Sequence, residues 1–494
     1  MNKIETIKAE KDGLDVLEDI HRYARTGWES ITPDDAERLK WHGVFLRKPT
    51  PGYFMMRVRL TNGIASTDQV RALTEATRRF GRDILDITTR QQVELRWITI
   101  EAVPEVFEML ASAGLCSLQT GMDNIRNVVG CPLAGLTPGE LFDASAVARE
   151  YTALFVGNRE FTNLPRKFNV TITGCRDNCT HAESQDIALV PATADGVAGF
   201  NVLVGGKMGS GGYRVASDLD VFVEPDEAAA LCAAITLIFR DFGLREARSK
   251  ARLAFLLEER GEGWLRATLE ERLGRTLARA GRDERSDGQA DHIGVQSQKQ
   301  DGLSSVGLLV PVGRIKVGQL EEAARLADEY GSGELRFTTA QSLIIPDVST
   351  DRLPQLLAEP LLLELSAAPS PFMRGVVACT GTDFCKLALI DTKTRAVAIA
   401  RQLEERARNG HESVRVHWSG CPAGCGNHEV ADIGLEGKRI RHNGEVVEAV
   451  DIYVGGSSGP NGRKGRRVLE DVPCDDLVSV LERLVKHGEA VAAG

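Results

Sequence analysis

The tetrapeptide TTRQ at residues 88–91 returns as TTAQ at 338–341, an offset of 250 residues. Three further matches keep the same order. VGG at 204–206 recurs at 454–456, again at 250; NVVGC, ending at Cys131, is answered by GVVAC, ending at Cys379, at 248; TGCRDNC at 173–179 is answered by SGCPAGC at 419–425, at 246. Four short matches at nearly one spacing describe a duplicated unit of about 250 residues. That is far longer than the roughly 20–50-residue period of a solenoid. A pseudo-twofold relation between the halves is the expected consequence.

Around the first match the pattern reads as strand and helix. FMMRVRL at 54–60 alternates, with Arg57 and Arg59 on one face, and DILDITTRQQVELRWITI at 83–100 is strand-like. Residues 67–81 read as an amphipathic helix closed by Gly81, and helices are expected over 104–114, 139–155, 226–240 and 245–280. Residues 1–50 are polar, helical and irregular. The stretch GRDERSDGQADHIGVQSQKQDG, 281–302, has few apolar residues and is the expected linker.

The chain has 494 residues, enough for about three domains. Its 60 Lys+Arg against 70 Asp+Glu give a net charge of −10, which argues against general nucleic-acid binding. No run of 18 apolar residues occurs, so no membrane-spanning helix is expected. The N-terminus lacks an apolar signal core and is too acidic for a transit peptide, so a cytoplasmic location is expected.

Ten cysteines are too few for a disulfide scaffold, but they cluster. Cys379 and Cys385 form C-x5-C, and Cys421 and Cys425 form C-x3-C. The first half has Cys131, Cys175 and Cys179 at the matching places, with Thr137 where Cys385 would fall. Only the second half can therefore supply the four thiolates of a cubane iron–sulfur cluster. Zinc is the alternative, yet C-x5-C exceeds the usual spacing of about two to four residues. Gly420, Pro422, Ala423, Gly424 and Gly426 leave room for backbone N–H groups to approach sulfur. Cys131, Cys175 and Cys179, short of a fourth ligand, read as a relic of duplication packed as small apolar side chains. A second labile cluster or a redox sensor is the competing reading.

CTGTDFCKLALIDTK (379–393) with HWSGCPAGCGNHEVADIGLEG (417–437) resembles the siroheme and [4Fe–4S] signature of the nitrite and sulfite reductase family. RLKWHGVFLRK, GYFMMRVRLTNG, DITTRQ, LQTGMDNIRNVVGCPLAG, NLPRKFNV and GFNVLVGG agree, and the resemblance runs from about residue 28 to 485. It is closest to the ferredoxin-dependent nitrite reductase branch. Cys131, Cys175 and Cys179 depart from the plant-type pattern and suggest a bacterial one.

The resemblance implies an α+β fold, internally duplicated. Two ferredoxin-like half-domains, 52–118 and 305–370, would pair about a pseudo-twofold, with two larger α+β reductase domains at 119–280 and 371–494, the second carrying the cluster. Residues 1–51 would wrap the molecule and 281–304 would link its halves. The implied activity is six-electron reduction of nitrite to ammonium at siroheme coupled to a [4Fe–4S] cluster. Cys379, Cys385, Cys421 and Cys425 would hold the cluster, with the Cys425 thiolate also bridging to the siroheme iron. Arg90, Gln91 and Arg96 match the cofactor-binding positions, since arginine grips carboxylate arms bidentately. Arg57, Arg126 and Lys167 match the anion-binding set, with Lys167 the proton donor. Asn169 stands where sulfite reductases often carry a second lysine, and so favours nitrite.

The chain leaves no room for flavin or nicotinamide domains, and no G-x-G-x-x-G unit follows a strand, so electrons must come from another protein. Ferredoxin is the family donor, and its acidity calls for a local basic patch. Arg463, Lys464, Arg466 and Arg467 in GRKGRR, or Lys386, Lys393 and Arg395, are the candidates. A monomer is expected. The rival readings are an assimilatory sulfite reductase on the same scaffold and, from another class, a non-catalytic iron–sulfur redox sensor.

Overall fold

The computed structural model describes residues 2–209, 212–406 and 413–486. Its core is a pair of five-stranded antiparallel sheets that exchange strands. Val44–Leu46, Phe54–Val58, Val93–Ile98 and Ile84–Ile87 are completed by Arg314–Lys316 from the second half. Gly294–Ser297, Leu303–Leu308, Leu343–Ser349 and Glu334–Phe337 are completed by Ile64–Ser66 from the first. The exchanged strands stand 250 residues apart, the offset of the TTRQ match. Helices Thr67–Phe80 and Val317–Tyr330 lie against these sheets. Val70 and Leu73 of one and Leu320 and Ala324 of the other share a single apolar core with Leu85, Leu95, Leu335 and Ile345. The first helix starts with a reciprocal cap: Gln69 N–H donates to Ser66 Oγ at 3.2 Å, and Ser66 N–H donates to Gln69 Oε1 at 3.1 Å.

Each half also carries a second sheet that begins parallel and ends antiparallel. In the first half, Val170–Ile172 precedes Ile187–Ala194, Val197–Val204 and Ser217–Val223. In the second, Val376–Ala378 and Val416–Ser419 precede Ile433–His442, Glu445–Val454 and Arg466–Pro473. Helices Ser145–Phe155 and Pro225–Phe242 fill the first core, and Lys393–Arg406 and Leu477–Lys486 the second. The fold is thus mixed α and β and internally duplicated. Among the described residues no helix is long and apolar enough to cross a membrane.

Four expectations change. The helix expected over 245–280 is two helices, Leu253–Arg260 and Glu262–Leu273, broken at Gly261, whose φ of +81° no α-helix contains. The strand-like stretch 83–100 folds back on itself at TTRQ. The expected linker is also part of the sheets: Arg282–Asp283 pairs with Ala192 and Thr193, and Gly294–Ser297 with Ser304–Gly307. Both are edge strands, half in water, so few apolar residues suffice. Val44–Leu46 likewise joins its sheet ahead of the expected start at residue 52.

Candidate functional site

Strands Val376–Ala378 and Val416–Ser419 run side by side and parallel, so Cys379 and Cys421 emerge from the same edge. Cys379 N–H donates to Trp418 O at 3.0 Å, and Gly420 N–H donates to Cys379 Sγ at 3.1 Å. The small residues around the cysteines are required by close approach. A side chain at Gly381, where φ is +68°, would stand 2.6 Å from Thr392 Oγ1. Ser419 Oγ accepts from Gly426 N–H at 3.1 Å and bonds His428 Nδ1 at 2.9 Å, shaping the CPAGC turn. Cys379, Cys385, Cys421 and Cys425 all line one cavity with about 1060 Å³ of free space. Burial, reinforced by Cys425, pushes the Cys379 thiol up to about 11, and burial pushes Cys421 up to about 12. Metal loading at neutral pH therefore releases protons.

The facing wall is the TTRQ turn. Thr88 Oγ1 accepts from Arg90 N–H at 3.2 Å and Gln92 N–H at 3.1 Å, and Gln91 takes φ of +57°. Thr89 Oγ1 donates to Cys425 O at 3.2 Å, so the first half clasps the cysteine turn of the second. The pseudo-twofold repeats the contact: Thr339 Oγ1 donates to Cys179 O at 2.5 Å.

Gln91, expected at the cofactor, is instead a brace. Its Nε2 donates to Gly130 O and Phe337 O, each at 3.0 Å, and its Oε1 accepts from Gly130 N–H at 3.1 Å. Its twin Gln341 lines the cysteine cavity, donating to Ile87 O at 3.1 Å and accepting from Ala378 N–H at 2.9 Å, one residue before Cys379. Arg96, also expected at the cofactor, lies fully buried behind the cavity. Its guanidinium holds Asp86 Oδ2 at 2.6 Å, Glu94 Oε2 at 2.5 Å and Thr380 Oγ1 at 3.1 Å, and it stacks on Phe384. The position of Gln91 in the turn and of Arg96 on strand Val93–Ile98 does not by itself tell which neighbour takes the side chain's hydrogen bonds.

The remaining cations converge as expected. Ile125 and Phe168 form a parallel bridge, with Arg126 N–H donating to Phe168 O at 2.8 Å, which sets Arg126 beside the Lys167–Asn169 segment. Arg90, Lys167 and Asn169 line a second cavity that shares Thr89, Arg90 and Ala423 with the first. No carboxylate of the described residues lies within ion-pair distance of Arg90, Arg126 or Lys167. The nearby acids are engaged elsewhere: Asp123 with Arg248 at 2.7 Å and Asp186 with Arg252 at 2.7 Å. Burial lowers all three cations from their ordinary pKa values, Arg126 and Lys167 strongly, and mutual repulsion adds to it. Asn169 Oδ1 and Arg126 Nη1 are buried without partners. Such a site is a receptor for anions.

Arg57 differs from this set. It reaches the cavity as an ion pair, Nη2 to Glu94 Oε1 at 2.7 Å, stacked on Phe45. Arg47 is the cation that sequence reasoning missed. It lines the cysteine cavity, its Nε is buried without a partner, and burial lowers it to about 10. Its signal lay in VFLRK, where Val44 pairs with Met56 and so carries Arg47 alongside the Arg57 strand.

Two basic candidates move. Lys393 is not a surface residue: it is buried, donates to Val312 O and lies 3.6 Å from Asp86. In the GRKGRR loop, Lys464 pairs with Glu429 at 2.7 Å and Arg467 with Glu470 at 2.9 Å. The turn leading into it packs on residues before the second half, with Gly462 against Glu183 and Asn461 on Asp287. Lys386 and the 60% exposed Leu387 adjoin Cys385 directly.

This arrangement has known relatives. Residues 121–277 and 370–487 match the nitrite and sulphite reductase 4Fe-4S domain, and 46–113 and 296–363 match the nitrite/sulfite reductase ferredoxin-like half domain. The chain is 46% identical over 492 residues to the ferredoxin–nitrite reductase of Synechococcus elongatus, covering 98% of this chain and 96% of the relative. It is 41% identical to the chloroplastic ferredoxin–nitrite reductase of Spinacia oleracea, covering 98% and 85%. The solved structure of the Mycobacterium tuberculosis NirA protein superposes with a TM-score of 0.94 at 33% identity, covering 98% of this chain and 93% of that one. With four thiols on one wall of a cavity and unpaired cations on the other, the chain belongs to the nitrite and sulphite reductase family, as an oxidoreductase with an iron–sulfur cofactor.

Proposed function

We propose that this chain reduces nitrite to ammonium at a siroheme beside a [4Fe–4S] cluster, taking electrons from reduced ferredoxin. The observation that carries this reading is the group of unpaired cations, half-buried Arg90 and Lys167 with buried Arg126, against the four-cysteine wall. They suit a tetrapyrrole with many carboxylate arms and a small anion: Arg47 and Arg90 border the cysteine cavity, and Lys167 and Asn169 the adjoining one. The orphaned Arg47 Nε and Arg126 Nη1 are donors of the type that carboxylates satisfy. When bound, siroheme and cluster supply a metal for the substrate nitrogen and a relay for single electrons.

The chain's own residues do the rest. Arg126 and Lys167 offset the substrate's charge and the negative charge that builds on reduction. Conversion of nitrite to ammonium and two waters consumes six electrons and eight protons. Lys167 is suited to pass protons, because burial and neighbouring cations make it a stronger acid than an ordinary lysine. Asn169 adds a polar contact without a further charge, which favours a monoanion over sulfite. For the donor, Lys386 and exposed Leu387, which follow Cys385 directly, support docking of an acidic ferredoxin.

The test is anaerobic turnover with reduced methyl viologen, comparing kcat/KM for nitrite and sulfite. A strong preference for nitrite is expected. A preference for sulfite would keep the cofactors and refute the role given to Asn169. Absence of macrocycle bands in the visible spectrum would refute the siroheme.

A further inference from the structure

The first half's cysteines are not short of a fourth ligand. His292, in the stretch expected to be a linker, enters their site: its Nε2 lies 3.9 Å from Cys131 Sγ. The ligand atoms of Cys131, Cys179 and His292 all lie within 4.8 Å of one another, the one such group among the described residues. Cys175 packs in the same buried cluster as Cys131 and Cys179 but stands outside that close group. Cys131, Cys175 and Cys179 are each 1% exposed and His292 3%, enclosed by Leu133, Leu136 and Ile344.

We infer that Cys131, Cys175, Cys179 and His292 bind a single zinc ion that is structural. The donor chemistry is that of a closed Cys₃His zinc site, and Cys175 and Cys179 have C-x3-C spacing. Bond lengths of about 2.3 Å to sulfur and 2.0–2.1 Å to nitrogen make the tetrahedron's edges about 3.6–3.8 Å. The observed 3.9 Å between Cys131 and His292 needs little closure, Cys179 stands within 4.8 Å of both, and the Cys175 side chain must turn in to complete the set. A cubane cluster fits poorly, since each thiolate binds a different iron and must stand farther away. The four cysteines of the other half do not form a group this tight. Burial leaves no open coordination position for a substrate, which separates a structural ion from a catalytic one.

The ion would join three segments: the chain after Gly130, the turn at 175–179, and the stretch entering strand Gly294–Ser297. It would thus replace, on the pseudo-symmetric side, the fastening that the cluster gives the second half.

The experiment uses the full-length holoenzyme purified without added zinc or chelator. Elemental analysis should find one zinc per chain beside the iron. X-ray absorption at the zinc edge should show three sulfurs at about 2.3 Å and one nitrogen at about 2.0 Å. Cys179→Ser and His292→Gln should each lose most of the zinc while keeping the iron. Three reactive thiols or a disulfide at these positions with no zinc, iron in place of zinc, or zinc retained by both variants would each overturn the inference. If a variant fails to fold, the wild-type absorption spectrum decides by itself.

Discussion

Gln341→Leu should unfasten the cluster, whereas Gln91→Leu should not. Each glutamine bonds backbone groups on both sides of the pseudo-twofold. Gln341 holds Ile87 O and Ala378 N–H at 3.1 and 2.9 Å; Gln91 holds Phe337 O and both backbone groups of Gly130 at 3.0–3.1 Å. Leucine fits either site in volume but leaves at least two buried backbone groups unpaired. At about 1–3 kcal/mol each, and with a small apolar gain in return, either variant should lose about 2–4 kcal/mol. The effects differ in place. Ala378 precedes Cys379, so in Gln341→Leu the loss falls on the cluster turn and should raise its transient opening by roughly 30–1000-fold. Gly130 precedes Cys131, so Gln91→Leu should open the other side. The assay is bleaching of the cluster absorbance by an iron chelator, with urea unfolding measured in parallel. Fast bleaching is expected for Gln341→Leu alone, with similar urea sensitivity in both variants. Equal bleaching in the two, or no loss of stability in either, would refute the reasoning.

Burial alone would raise the Asp86 carboxyl, but Lys393, Arg96 and Arg314 overcome it and hold it below the usual carboxylate range. Its contribution is therefore present above an ordinary pKa near 3.9 and is lost as pH falls through the lowered value. Asp86→Asn should cost about 3–5 kcal/mol at neutral pH, by stranding buried cations, and should flatten acid unfolding below about pH 4, read by pH-jump fluorescence. Lys167→Met should lower kcat/KM for nitrite by about 10²–10³ with iron content unchanged; a loss confined to KM would leave Lys167 a binding residue only. Lys386→Glu should raise the KM for ferredoxin, more so at low salt, and spare dye-driven turnover. The paired reversal Arg466→Glu, Arg467→Glu should have the smaller effect, and the opposite ranking would move docking to GRKGRR.

The duplication was legible because backbone geometry repeats its demands. A turn that needs a threonine hydroxyl to accept the N–H four residues on, and a left-handed glutamine, keeps TT-x-Q in both halves. The cysteines were legible because ligand chemistry tolerates few substitutes. Arg90, Arg126 and Lys167 were singled out by motif position, and the structure leaves them without counter-ions among the described residues. Sequence could not tell that Gln91, in the turn, and Arg96, on the strand, bond internal partners, since only the packed neighbours decide that. Nor could it join His292 to Cys131 across 161 residues, or see that a polar stretch could be an edge strand. Those facts belong to tertiary contact alone.

The strand exchange also bears on how the chain is made. Ile84–Ile87 meets its outer neighbour, Arg314–Lys316, only after about 230 further residues have been synthesised. At roughly 5–20 residues per second, that edge stays open for about 10–45 s on the ribosome. An unpaired edge is a template for wrong partners, including the same edge on the next nascent chain. Neither half can close its central sheet alone, so a gene fragment ending in the polar stretch 281–302 should yield an aggregating product, and co-expressing the two fragments should rescue both.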